Sequence, residues 1–170
     1  GNLVVETDET NNTRTGATLS ANLRQVDLAV TAVSGPNTAR DQQTITLSAT
    51  VRNYGSQAAP DAVLRWVLST DKTITTADTV IATTVVPSLR GGGSTKLTIT
   101  TSIPSSVPAG SYSYGAIVDP DNLVAETNVN NNALAGNSVS VSYSVDLVIT
   151  AVAGPAAGAT GQAQTFTATV

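Results

Sequence analysis

The sequence predicts an all-β chain, an immunoglobulin-like antiparallel β-sandwich of about seven strands per repeat, with repeats in tandem. Three observations point there. Thr occurs 27 times, Asn 12 times and Gly 13 times. Thr is β-branched and suits strands, while Asn and Gly suit the turns between them. No window of about 11 residues follows the helical period. The chain also repeats itself. Residues 26–36 read VDLAVTAVSGP and residues 145–155 read VDLVITAVAGP; at an offset of 119, segments 26–51 and 145–170 agree at 13 of 26 positions. Residues 2–12 (NLVVETDETNN) match 122–132 (NLVAETNVNNN) at an offset of 120.

The repeats divide the chain into three pieces. Residues 1–23 read as the C-terminal end of a preceding repeat, 24–143 as a complete repeat, and 144–170 as the first strands of a following one. The joins SANLRQVDL and SVSYSVDL contain no Pro/Gly/Ser-rich linker. Such short joins imply a stiff array rather than beads on a flexible string.

Within the complete repeat, strands are expected at 26–34, 43–54, 62–69, 79–86, 94–103, 111–118 and 137–144. Each is rich in Val, Ile, Thr or Tyr, and turn signals such as SGPN, NYGSQAAPD, LRGGGS, SVPAGS and DPDN separate them. Alternation turns Leu28 and Val30 inward, then Ile45, Leu47, Ala49 and Val51, then Leu64, Trp66 and Leu68. Leu97, Ile99, Tyr112, Tyr114, Ala116 and Val118 complete the expected core, and Ile81 is ambiguous. Trp66 is the single Trp, and it reads as a core anchor before a sugar-stacking platform.

Composition narrows the function classes. The absence of Cys and His removes disulfides, thiolate metal sites, the commonest general base and the commonest transition-metal ligand. A net charge of −4 with 12% charged residues offers no basic footprint, so no nucleic-acid partner is expected. No run of about 18 apolar residues occurs, so no membrane insertion is expected of this segment. The neutral, Thr- and Asn-rich surface suits an extracellular protein.

VDLAVTAVSGP, LRWVLSTDKTITTADTVIAT and VPAGSYSYGAIVDPDNLVAETNVNNN together resemble the CARDB family, a cell-adhesion-related domain found in bacteria. The resemblance covers nearly all of residues 26–143. It implies a seven-stranded sandwich in multi-copy proteins of the bacterial cell surface, and no catalytic residue. One departure is Val129, where an acidic residue is common; the N-terminal copy keeps Glu9 there.

The strongest candidate site is the loop from Asp119 to Asn132, with three carboxylates and five Asn within 14 residues. Calcium takes six to eight oxygen ligands, so Asp119, Asp121, Glu126 and Asn128 are the candidate calcium ligands. Competing with this, Asp and Asn organise tight turns with their own side chains. Asp71 to Asp78 poses the same choice and favours a turn, because it lacks the Gly and final Glu of a helix-loop-helix calcium loop. Lys96 on a strand raises an isopeptide cross-link, which needs a buried Lys. Asn11-Asn12-Thr13 matches a glycosylation sequon, and Gly91-Gly92-Gly93 reads as a turn rather than a phosphate loop. Asp119 and Glu126 form the one carboxylate pair that could invite glycoside chemistry, but their turn-rich setting favours a structural role.

The function expected from these readings is a non-catalytic structural or spacer repeat that builds a stiff array and supports adhesion or self-assembly. Its expected partners are adjacent repeats of the same polypeptide, or identical chains in a fibre or filament. The alternative is an adhesin domain that binds a glycan or protein directly; Tyr54 is nearly alone as a loop aromatic to support it. The two ends read as excerpts of a longer array.

Overall fold

The computed structural model describes Gly16 and residues 25–143 and 147–170. Apart from Gly16, the expected end of a preceding repeat at 1–23 lies outside the described residues, with its Glu9 and its sequon.

Residues 25–143 hold eight strands: β1 (Leu28–Ser34), β2 (Thr38–Arg40), β3 (Thr44–Asn53), β4 (Ala62–Ser69), β5 (Thr79–Val86), β6 (Ser94–Ser102), β7 (Gly110–Val118) and β8 (Ala133–Ser142). Two short strands follow, β9 (Ala151–Ala153) and β10 (Thr167–Thr169), paired with each other. One sheet has the order β1-β3-β6 and the facing sheet the order β2-β8-β7-β4-β5. Among the described residues, every pairing between these strands is antiparallel except β2 with β8. The fold is all-β and immunoglobulin-like, as the alternation predicts.

The expected core is present. Leu28, Leu47, Val51, Leu64, Trp66, Tyr114, Ala116 and Val118 are each at most 1% exposed. Ile81, ambiguous by pattern, is buried. Leu97, Ile99 and Tyr112 pack against the core but stay partly exposed; Leu97 and Ile99 lie on β6, an edge of the three-stranded sheet, and Tyr112 lies near the start of β7. Lys96 is on the outer face of β6 and exposed, which removes the burial that a Lys–Asn cross-link requires.

Two elements differ from the sequence reading. The three-residue strand β2 was not expected, since NTAR has no strand pattern; its backbone pairs with β8 at Thr38↔Ser140 through Arg40↔Ser142. The last strand starts at Ala133 rather than 137, although ALAGN is a poor strand sequence. Pairing of Ala133–Ala135 with Gly115–Ile117 holds it there. Close approach also demands small residues: a Cβ on Gly136 would run into the backbone carbonyl of Val33.

Alternation breaks on β4 and β7 for one shared reason. Val67 and Ile117 face away from the sandwich centre yet are buried. The 70–78 loop folds over that outer face, and Ile74 packs so closely that a Cβ on Gly115 would lie 2.6 Å from its Cδ1. Asp71 and Asp78 shape this loop. Asp71 Oδ1 accepts the Thr73 N–H at 2.6 Å and Asp78 Oδ2 accepts the Thr75 N–H at 2.7 Å.

Strand direction gives the unit two poles. β1, β4, β6 and β8 run from one to the other and β3, β5 and β7 run back: Leu28 sits across from Asn53 and Leu64 from Val118, while Thr44 sits across from Ser102 and Gly110 from Val141. The chain enters the unit at the first pole, at Val26, and leaves β8 at the second, where the Asp41 N–H donates to the Ser142 carbonyl at 3.0 Å.

Candidate functional site

The loop from Asp119 to Asn132 lies at the entry pole, between β7 and β8. Asp119 starts it with a left-handed backbone (φ 47°), and Asn122 repeats that conformation (φ 51°), which Asp and Asn tolerate better than most residues. Asp119 is 4% exposed. Its Oδ1 accepts the Leu123 N–H at 3.0 Å and its Oδ2 the Val124 N–H at 2.9 Å. The carboxylate therefore closes its own turn.

Glu126 joins this loop to the first strand. One carboxylate oxygen accepts the Leu28 N–H, and the other accepts Asn132 Nδ2 at 2.9 Å. Backbone pairing runs alongside: the Thr127 N–H donates to Val26 O at 3.0 Å, and the Val30 N–H donates to Asn131 O. Asn131 Nδ2 donates to Asp27 Oδ1 at 2.8 Å. The repeated string ETNVNNN is thus a clamp on the entering strand. Burial pushes the Glu126 carboxyl above its usual range; its bonds to Asn132 and Leu28 pull the other way, and repulsion from Asp119 and Asp27 adds to the rise.

The sign of that shift makes a prediction. A carboxyl whose folded pKa is raised stabilises the fold most below its unfolded pKa, about 4.3. That contribution is lost as pH rises through the folded value. Glu126→Gln keeps an acceptor for Leu28. Its new amide can pair with Asn132 Oδ1, which is buried without a partner, once the Asn132 amide rotates. We expect the stability of Glu126→Gln relative to the native protein to climb between about pH 4 and pH 7, measured by urea unfolding across that range. Glu126→Ala should instead be destabilised by about 1–3 kcal/mol, since Leu28 N–H loses its acceptor.

The remaining candidates are also engaged locally. Asp121 is 59% exposed and meets Arg65 at 3.4 Å, a surface pair worth little. Asn128 Oδ1 accepts the Asn130 N–H at 3.0 Å. The structure brings Asp119, Asp121, Glu126 and Asn128 into one loop, but each gives at least one oxygen to a protein donor. Among the described residues, no group of three or more His, Cys, Asp or Glu is arranged to hold a metal ion. Both oxygens of Asp119 and both of Glu126 accept hydrogen bonds from the protein, whereas a calcium site needs several oxygens that converge on one point.

A residue that sequence reasoning missed organises the same pole. Asn53 is 0% exposed and makes four hydrogen bonds. Its Oδ1 accepts the N–H groups of Asp27 (3.2 Å) and Gly55 (2.9 Å), and its Nδ2 donates to the carbonyls of Gln57 (2.6 Å) and Leu89 (3.0 Å). It pins the entering strand, the 53–57 turn and the segment before β6 together. Nearby, Tyr54 is 53% exposed, with the Arg52 guanidinium 4.7 Å from its ring centre. Beside the Asp119 turn lies a cleft of about 280 Å³, walled by Val63, Val85 and Val124 and rimmed by Asp61 and Asp121. Leu123 stands over it, 82% exposed.

The CARDB family profile matches residues 25–136. The CARDB domain of a Pyrococcus furiosus protein, solved in complex with di-metal ions, superposes with a TM-score of 0.54 at 26% identity, over 71% of this chain and 97% of that one. A Methanosarcina acetivorans domain, a cell surface protein by name alone, gives a TM-score of 0.51 at 26% identity, over 69% of this chain and 92% of that one. Among curated proteins none matches. Among the described residues no helix is long and apolar enough to cross a membrane. With the profile running from the entering strand to the start of β8, over more than half of the chain, the chain belongs to the CARDB family.

Proposed function

We propose that the domain is a non-catalytic structural repeat of a bacterial cell-surface protein, a stiff spacer that supports adhesion or self-assembly in the extracellular space. The observation that carries this reading is the separation of the poles: the chain enters at Val26 and leaves at Ser142, at opposite ends of strands of eight to ten residues. Units joined this way add length. At roughly 3.3 Å per strand residue, each contributes about 30 Å. The entry pole is braced by Asn53 and Glu126, which suits a unit that transmits orientation to its neighbour. The cell-surface name of the Methanosarcina relative agrees. Small-angle scattering tests it on the chain with one, two or three extra copies of residues 25–143 inserted. We expect the maximum dimension to grow by about 30–40 Å per copy; a compact particle whose length does not grow would remove the proposal.

The second reading, a domain that binds a protein or glycan directly, is favoured by Leu123 and Val85, 82% and 63% exposed beside one cleft. A reproducible hit on a glycan array, lost in Leu123→Ser, would put it first.

Calcium at Asp119, Asp121, Glu126 and Asn128 draws support from the metal-bound Pyrococcus relative, but the hydrogen bonds of the loop weigh against it. We therefore expect a chelator to leave the melting temperature unchanged to within about 1 °C. A drop of several degrees, reversed by added calcium, would reinstate the cation.

A further inference from the structure

The strand pair at the end of the chain copies the first pair of the sandwich in structure as well as in sequence. β9 and β10 pair as Ala151↔Thr169, Val152↔Ala168 and Ala153↔Thr167. Subtracting 119 from each number gives Ala32↔Thr50, Val33↔Ala49 and Ser34↔Ser48, the register of β1 with β3. Four further features obey the same offset. Thr150 Oγ1 donates to the Thr169 carbonyl at 3.1 Å, as Thr31 Oγ1 donates to the Thr50 carbonyl at 3.2 Å. The Gln162 N–H donates to Ala159 O at 3.2 Å, as the Gln43 N–H donates to Arg40 O at 3.1 Å. Gly161 (φ 84°) and Gln42 (φ 57°) both take the left-handed turn conformation. A Cβ on Gly154 would strike the Phe166 ring, as one on Gly35 would strike the Leu47 side chain.

The two pairs differ in what covers them. In the first, Leu28, Val30, Val33, Leu47 and Val51 are at most 8% exposed. Tyr114 of β7 lies over Gly35, its Cε2 2.7 Å from where a Cβ would stand. Their counterparts Leu147, Ile149, Val152, Phe166 and Val170 are 62–76% exposed. Residues 147–170 contain no charged side chain, so the face has nothing with which to recognise a charged ligand. A lone strand pair is marginal in water, and burying these side chains is strongly favourable.

We infer that residues 147–170 are the opening hairpin of a second sandwich, and that their apolar face is a docking surface for one occupant. That occupant is a strand set of the kind that residues 52–143 supply to β1 and β3, with an aromatic residue in the place of Tyr114 seated over Gly154 and Phe166. This deepens the tandem reading and rests on it.

The test joins residues 52–143 of this chain directly after Val170, because Val170 occupies the position of Val51. Hydrogen exchange then reads the amides of residues 150–153 and 167–169 in the original and extended chains. Protection should rise at least tenfold in the extended chain, and Phe166→Asp should abolish the gain while leaving residues 28–142 protected. One core position changes character in the copy, Gln164 for Ile45, so a second extended chain carries Gln164→Ile. If neither extended chain protects the hairpin, the inference fails. Protection that persists in Phe166→Asp also overturns it, since the face would then not be the contact. Scattering on copies of the 25–143 unit is independent of this result, so failure of the hairpin assignment and failure of the spacer function are told apart.

Discussion

Trp66→Ala is expected to destabilise the sandwich by about 3–5 kcal/mol, the range for deleting a fully buried aromatic side chain. Trp66 is 0% exposed at the centre of β4, flanked by β5 and β7. Its indole N–H donates to Thr84 Oγ1 at 3.1 Å, so truncation also leaves a hydroxyl short of a donor. The loss is a large share of the stability of an ordinary domain. Urea unfolding followed by circular dichroism measures it, since the variant has no Trp to report by fluorescence. Trp66→Phe should recover a good part of the loss by refilling most of the volume. A loss below about 1 kcal/mol for the alanine variant would mean that Trp66 is not the anchor its burial indicates. A sugar-stacking role for Trp66 is not compatible with an indole closed off from solvent.

Asn53→Ala should cost about 3 kcal/mol or more, although it removes few atoms. Each buried polar group stranded without a partner costs about 1–3 kcal/mol, and this substitution takes the Asn53 side chain away from two N–H groups and two carbonyls at once, of which the Leu89 carbonyl keeps the Ala59 N–H. Some of them recover water near the surface, which keeps the total below the simple sum. Asn53→Asp separates the two halves of the network. It keeps the acceptor for Asp27 and Gly55 but turns a carboxylate oxygen toward the carbonyls of Gln57 and Leu89. We expect it to be as damaging as alanine at pH 7 and to improve on acidification, when the protonated carboxyl can donate again. Equal stability of Asn53→Asp and the native protein at pH 7 would show that the two donor bonds contribute nothing.

Strand existence, strand type and the inward set were legible from residues 26–118 because they depend on spacing of two along the chain and on local turn chemistry. The family was legible because long strings such as LRWVLSTDKTITTADTVIAT combine both. The functional loop was legible only as composition. Its dense Asp and Asn promised cation ligands, yet the same side chains serve as turn and strand partners, and sequence cannot tell which donor an oxygen will meet. The decisive contacts are remote: Glu126 reaches Leu28 across 98 residues, Asn131 reaches Asp27 across 104, and Asn53 reaches Leu89 across 36. Strand β2 and the start of β8 escaped for the related reason that their backbones are ordered by a neighbouring strand rather than by their own side chains. Local pattern thus determined which segments are strands and which faces turn inward. Tertiary structure alone decided where each buried polar group finds its partner, because a hydrogen bond is satisfied by position in space and not by position in the chain.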